Sequence, residues 1–131
     1  STHYRLLAHI NEVAEAGLML ADFAYSHWPD EWTKKLDRQE LLQILLLHDL
    51  DKYLLLSDES LEMSIAHGTL SAMILNDLGF DSRVIEAVAS HSPSASLHLD
   101  DPASMILHYC DLFSCDHIYM LVSRTPHYCM K

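Results

Sequence analysis

The stretch Ile44-Leu45-Leu46-Leu47-His48-Asp49-Leu50-Asp51-Lys52 decides how this chain is read. Four apolar residues run straight into a His-Asp pair, and Lys52 follows three residues after the first aspartate. Such a run reads as the buried end of a helix. An ionisable pair is expensive there, because an unpaired buried polar group costs about 2–7 kcal/mol and an isolated charge more. Neighbouring residues of a helix point about 100° apart, so the two side chains cannot share one face unless the helix frays at that point. A metal ion would satisfy both groups. The stretch therefore predicts a helix that closes on a metal site, with the remaining ligands supplied from elsewhere in the chain.

Outward from this stretch the pattern is helical throughout. Asp37 with Glu40 three residues on makes a capping-box-like start, so the helix runs from about 38 into the doublet. Before it, residues 3–26 place Leu6, Leu7, Ile10, Val13, Ala14, Gly17, Leu18, Ala21 and Ala24 at helical spacing, with Phe23 and Tyr25 adding bulk at the end and His9 on the edge of the apolar face. Residues 27–35, broken by Pro29, read as a loop or short irregular helix whose Trp28 and Trp32 pack back on the core. After the doublet, 52–58 reads as a connector. A third long helix is predicted over about 60–77, with Leu61, Ile65, Leu70, Met73, Ile74 and Leu78 recurring at helical intervals, His67 inside it next to Gly68, and Gly79 as its left-handed stop. Asp81 caps a helix over about 82–91, with Val84, Ile85 and Val88 inward and His91 near its end. Asp101-Pro102 starts the last helix, about 102–122. It carries Leu107, Asp111, Ser114 and Ile118 on one line, and no lysine or arginine lies close to Asp111 in sequence. Asp111 is thus a second costly burial. No repeat and no strand-like alternation occurs. The expected fold is all-α, an orthogonal bundle of about five to six helices forming one domain over 1–131.

Composition narrows the function. The chain has 131 residues, half of them hydrophobic, with three glycines and four prolines, which suits a helical domain with a full core. No apolar run in it is long enough to span a membrane, and no signal peptide is expected. The net charge of −11 excludes a broad basic surface for a nucleic-acid polymer. A small phosphorylated ligand remains compatible, since bound cations reverse the local charge. Cys110, Cys115 and Cys129 form no CxxC pair and read as reduced thiols of a cytoplasmic protein. Ten histidines are the unusual feature.

The residues in costly places are His9, His48, Asp49, His67, His91 and Asp111, drawn from five helices or helix ends. Four imidazoles and two carboxylates suit one borderline divalent cation or a close pair. For His67 and His91 the plainer alternative is a core histidine satisfied by a hydrogen bond. His108, three residues before Asp111, reads as an ordinary surface or interface residue, with support of Asp111 from behind as the alternative.

At these positions the chain resembles the HD-domain superfamily of metal-dependent phosphohydrolases. His9 in His-Ile-Asn-Glu-Val-Ala looks like the family's first-helix histidine. His48-Asp49 with Lys52 looks like the doublet and its trailing lysine, and Asp111 in Ile-Leu-His-Tyr-Cys-Asp looks like the late aspartate. Ala66-His67-Gly68 and Ala89-Ser90-His91 look like the two further histidines of members that hold two metals. The similarity covers about residues 3–122. The family often has Gly where this chain has Asp51, and some members pair histidines where this chain has His91 alone.

The resemblance implies that His9, His48, Asp49 and Asp111 hold one divalent ion (Fe, Mn, Ni, Co, Zn or Mg) and that Asp49 bridges to a second one on His67 and His91. It implies hydrolysis of a phosphoester of a nucleotide or related small molecule by a metal-activated water, with Asp49 and Lys52 as the catalytic residues. A di-iron oxygenase of the same fold and a non-catalytic, metal-stabilised sensor or scaffold are the alternatives, and Lys52 favours phosphate. The apolar last helix is consistent with a homodimer.

Overall fold

The computed structural model describes residues 2–52, 68–91 and 100–121, with side chains at 6–52, 68–91 and 100–115. The described residues form six helices and no strand: α1 Thr2–His27, α2 Asp30–Thr33, α3 Arg38–Leu47, α4 Thr69–Asp77, α5 Ser82–Ala89 and α6 Pro102–Leu121. The fold is all-α, as the periodicity predicts.

Helix α1 packs on α3 and α6, α4 packs on α5, and α3 also touches α5 and α6. The core lies where these faces meet: Val13, Ala21 and Ala24 of α1, Leu41, Ile44 and Leu45 of α3, Leu75 of α4, Val84 and Val88 of α5, and Ile106 and Leu107 of α6. Gly17 sets the approach of α1 to α3. A Cβ there would stand 2.5 Å from Leu45 Cδ1, so a larger residue would require the buried Leu45 side chain to shift. Trp28 packs against this core and meets Trp32 edge-to-face at 5.3 Å, so the 27–35 connector does anchor inward.

The helix boundaries follow local chemistry. Asp37 Oδ1 accepts the Glu40 N–H at 2.9 Å, and Asp81 Oδ1 accepts the Arg83 N–H at 2.9 Å. Asp101 accepts from the Ser104 hydroxyl at 2.8 Å and from the Ala103 N–H at 3.3 Å. The contacts from Glu40, Arg83 and Ala103 occupy N–H groups that a helix start leaves without an internal partner. Gly79, at φ +82°, turns the chain out of α4 as expected.

Two expectations for the middle of the chain need correction. The helix predicted over 60–77 does not run through Gly68, whose φ of +95° is left-handed, and α4 starts at Thr69. Residues 53–67, including His67, lie outside the described residues. The buried face of α4 is also rotated from the apolar stripe. Ser71, Ala72 and Leu75 are buried, while Met73 and Leu78 are 54% and 67% exposed. Small side chains at 71 and 72 let α4 close on the turn after the doublet, where Ser71 has a polar partner, and that contact outweighs the larger apolar residues. On α5, Ala87 rather than Ile85 joins Val84 and Val88 in full burial. No helix among the described residues is long and apolar enough to cross a membrane.

Candidate metal centre

Helix α3 ends at Leu47, and the doublet sits just past it with both side chains fully buried. His48 keeps right-handed backbone angles as the C-cap residue. The frayed end frees the pair from helix register, so both side chains reach inward. The His48 Nδ1–H donates to Leu45 O at 2.8 Å. A carbonyl can only accept, so the proton is on Nδ1 and Nε2 is the free donor atom of the neutral ring.

His9 arrives from α1 and is anchored across the bundle, its Nδ1 hydrogen-bonded to Ser114 Oγ of α6 at 2.8 Å. One turn before Ser114, Asp111 points its carboxylate at the same place. His9 Nε2 lies 2.9 Å from Asp111 Oδ1 and 3.1 Å from Asp49 Oδ2. His48 Nε2 lies 3.3 Å from Asp111 Oδ1 and 3.2 Å from Asp49 Oδ2. Among the described residues, His9, His48, Asp49 and Asp111 form a group whose donor atoms all lie within 4.8 Å of one another.

These four residues can hold a metal ion. The two imidazole Nε2 atoms are buried, stand close to carboxylate oxygens, and make no hydrogen bond. Lone pairs aimed at lone pairs need a cation between them. Donors about 2.0–2.2 Å from one shared ion stand roughly 3 Å apart, which is the spacing seen here. Nitrogen and oxygen donors together suit a borderline divalent cation.

Without a metal, protons supply the positive charge. Burial pulls the His48 imidazole down, but Asp111 and Asp49 outweigh it and push its pKa up to about 10. His9 is shifted upward by the same contest between burial and the two carboxylates. Burial pushes Asp111 up, yet His48 and His9 hold it well below the usual carboxylate range. Lys52, drawn down by burial, is raised overall by Asp49 and Asp111. Its Nζ stands 3.2 Å from Asp49 Oδ2, and its side chain is 40% exposed.

His91 follows α5 at its C-terminal end. Its Nδ1–H donates to Val88 O, and its Nε2 faces Asp49 Oδ1 at 3.5 Å. The His48 and His91 rings meet edge-to-face at 5.1 Å. Asp49 thus turns one oxygen to His9, His48 and Lys52 and the other to His91. Of the residues expected from the sequence, His9, His48, Asp49, Lys52, His91 and Asp111 come together, and His67 lies outside the described residues.

Three contributors were not given a role from the sequence. Ser114 sits on the Asp111 line, but its link to His9 crosses 105 residues. Asp51 is buried beside the doublet. Cys115 Sγ lies 3.7 Å from Asp111 Oδ1, and burial first, then Asp111, pushes its thiol up to about 12. His108 packs edge-to-face on Tyr109 at 4.9 Å. The exposed His27 stacks on Phe23, with ring centroids 4.1 Å apart.

The HD domain family model matches residues 6–116, and the chain belongs to the HD-domain family. No curated protein and no solved structure matches the chain.

Proposed function

We propose that this HD-domain protein is a metal-dependent phosphohydrolase acting on a phosphoester of a nucleotide or related small molecule. The observation that carries this reading is the pair of buried Nε2 atoms of His9 and His48, each set against two carboxylate oxygens without a hydrogen bond. His9, His48, Asp49 and Asp111 would hold one divalent cation, and His67 and His91 a second, with Asp49 between them. Bound cations supply Lewis acidity toward a phosphoryl oxygen and lower the pKa of water to about 7.

The chain's own groups do the positioning. Leu45 O and Val88 O keep His48 and His91 in the tautomer whose Nε2 lone pair faces inward. Ser114 holds the ring of His9 from behind. Such supports are worth about 10–100-fold in metal affinity. Lys52 reaches Asp49 yet is partly open to solvent, so its ammonium can meet a phosphate oxygen as a point charge. A small substrate fits the net charge of −11, which repels a nucleic-acid polymer. Free thiols at Cys110 and Cys115 support a cytoplasmic setting.

The test is element content of the purified chain, followed by turnover of phosphomonoesters, phosphodiesters and nucleotides with added divalent ions. Metal uptake with phosphate release supports the reading. A chain that neither contains nor takes up Fe, Mn, Ni, Co, Zn or Mg overturns it. Metal uptake with no turnover of any phosphoester points to a sensor or scaffold, and oxygen uptake with an organic substrate points to the di-iron alternative.

A further inference from the structure

Asp51 is buried to 2% exposure two residues after Asp49, and the metal chemistry proposed above does not use it. Its Oδ2 accepts the Gly68 N–H at 3.1 Å. Its own backbone N–H donates to Ser71 Oγ at 2.7 Å, and Ser71 is fully buried. Both partners lie at the start of α4, where an anionic group is favoured by the helix dipole and the exposed N–H groups. The helical residues 50–52 that follow the doublet and the N-terminus of α4 are therefore clasped by two hydrogen bonds running in opposite directions.

The clasp reaches the site through Gly68. This residue is left-handed, and a Cβ on it would stand 2.8 Å from Val88 O and 3.2 Å from His91 Cε1. The bare backbone of Gly68 thus lies against the carbonyl that anchors His91 and against the ring itself. His91 Nδ1 is held by that same Val88 O, and His91 Nε2 looks back at Asp49 Oδ1. The contacts leave the doublet at Asp51, pass through Gly68 and His91, and return to the doublet at Asp49.

We propose that Asp51 is a positioning residue: by fixing the Gly68 turn it sets the imidazole of His91 opposite Asp49. The role rests on the reading of Asp49 and His91 as facing a common cation. Its geometric half stands in the metal-free chain. Asp51 touches neither substrate nor cation in this role and acts only through Gly68 and His91.

The first readout is the ring Cε1–H signal of His91 in a carbon-correlated proton spectrum of the metal-free full chain, assigned by its loss in His91→Ala. Asp51→Ala should move that signal. Asp51→Asn, which keeps an oxygen to accept the Gly68 N–H, should leave it near the parent position. An unmoved signal in Asp51→Ala, or an equal displacement in Asp51→Asn, overturns the proposal. Should Asp51→Ala fail to fold, Ser71→Ala breaks the other half of the clasp. It should move the same signal, and no movement would overturn the proposal.

The second readout is calorimetric titration of Mn²⁺ into the same proteins. Asp51→Ala should act like His91→Ala, weakening one equivalent by about tenfold and leaving the other within about twofold, as expected for loss of an outer support. Equal weakening of both equivalents overturns the proposal, because a merely structural lesion would do that. A parent chain that takes up neither Mn²⁺ nor Fe, Ni, Co, Zn or Mg defeats the functional reading of the site, while the His91 signal still decides the positioning role.

Discussion

The two sides of the centre hold their imidazoles in different ways. On one side His9 and His48 meet Asp49 and Asp111, carried by α1, α3 and α6, which have 26, 10 and 20 residues. Their positions follow from the packing of long helices around Val13, Leu45 and Leu107, and His9 is tied across the bundle to Ser114. On the other side His91 stands at the end of the eight-residue α5, held by a carbonyl three residues back and by the left-handed turn at Gly68 before the nine-residue α4. The first arrangement is a consequence of the core. The second depends on local backbone geometry and on one clasp from the doublet. The lesson is that lesions should separate by side: core changes should disturb His9 and His48, and turn changes should disturb His91.

Asp49 belongs to both sides, so its loss should have the largest effect. Asp49→Ala is expected to weaken divalent-ion binding by at least about 100-fold, beyond the range typical of outer supports. Calorimetry and element content check this. Unchanged binding would show that the carboxylate does not join the two sides.

Ser114→Ala tests the long-helix side alone. It removes the anchor of His9 and leaves the buried Nδ1 short of a partner. Metal affinity should fall about 10–100-fold, and unfolding free energy should fall by about 1–3 kcal/mol. The His91 ring signal should stay in place. If it moves as far as the His9 signal, the sides are not separable.

Gly17→Ala presses on the same side through packing. The new methyl meets Leu45, which is buried and supplies the carbonyl that orients His48. Overpacking of this kind costs about 1–3 kcal/mol, offset in part by the helix preference of alanine, near 1 kcal/mol. A urea unfolding midpoint below that of the parent is the expected outcome. A rise would mean that α1 and α3 have room to separate.

The smallest effect is expected on the other side. Asp81→Ala removes the side-chain cap of α5 and should cost about 1 kcal/mol. Denaturant titration measures it. The affinity of the His9–His48 side for metal should be unchanged within error. A large loss of metal binding there would join the two sides through α5.

Much of this was legible without coordinates. The helix starts at Asp37, Asp81 and Asp101 were readable because capping depends on residues three or fewer positions apart. His9, His48, Asp49 and Asp111 stood out because an ionisable side chain on an apolar stripe is costly wherever the stripe packs. His91 was placed near a helix end by the same local reasoning. Less was legible around α4. Periodicity favoured Met73 and Leu78, yet Ser71 and Ala72 are the buried residues, because the neighbouring doublet turn offers a hydrogen bond and little space. Gly68 was read as part of a helix because its positive φ leaves no trace in the hydrophobic pattern.

The sequence by itself determined the all-α class and the capped helix starts, and it singled out six ionisable residues in costly places, since each of these rests on spacing within one segment and on the cost of burying charge. Tertiary structure alone decided which oxygen faces which ring, that Ser114 supports His9, and that Asp51 clasps the start of α4. Apart from that between the neighbours His48 and Asp49, those contacts join residues from 17 to 105 positions apart. Their existence depends on which helix faces meet, and that is settled by the packing of the whole core.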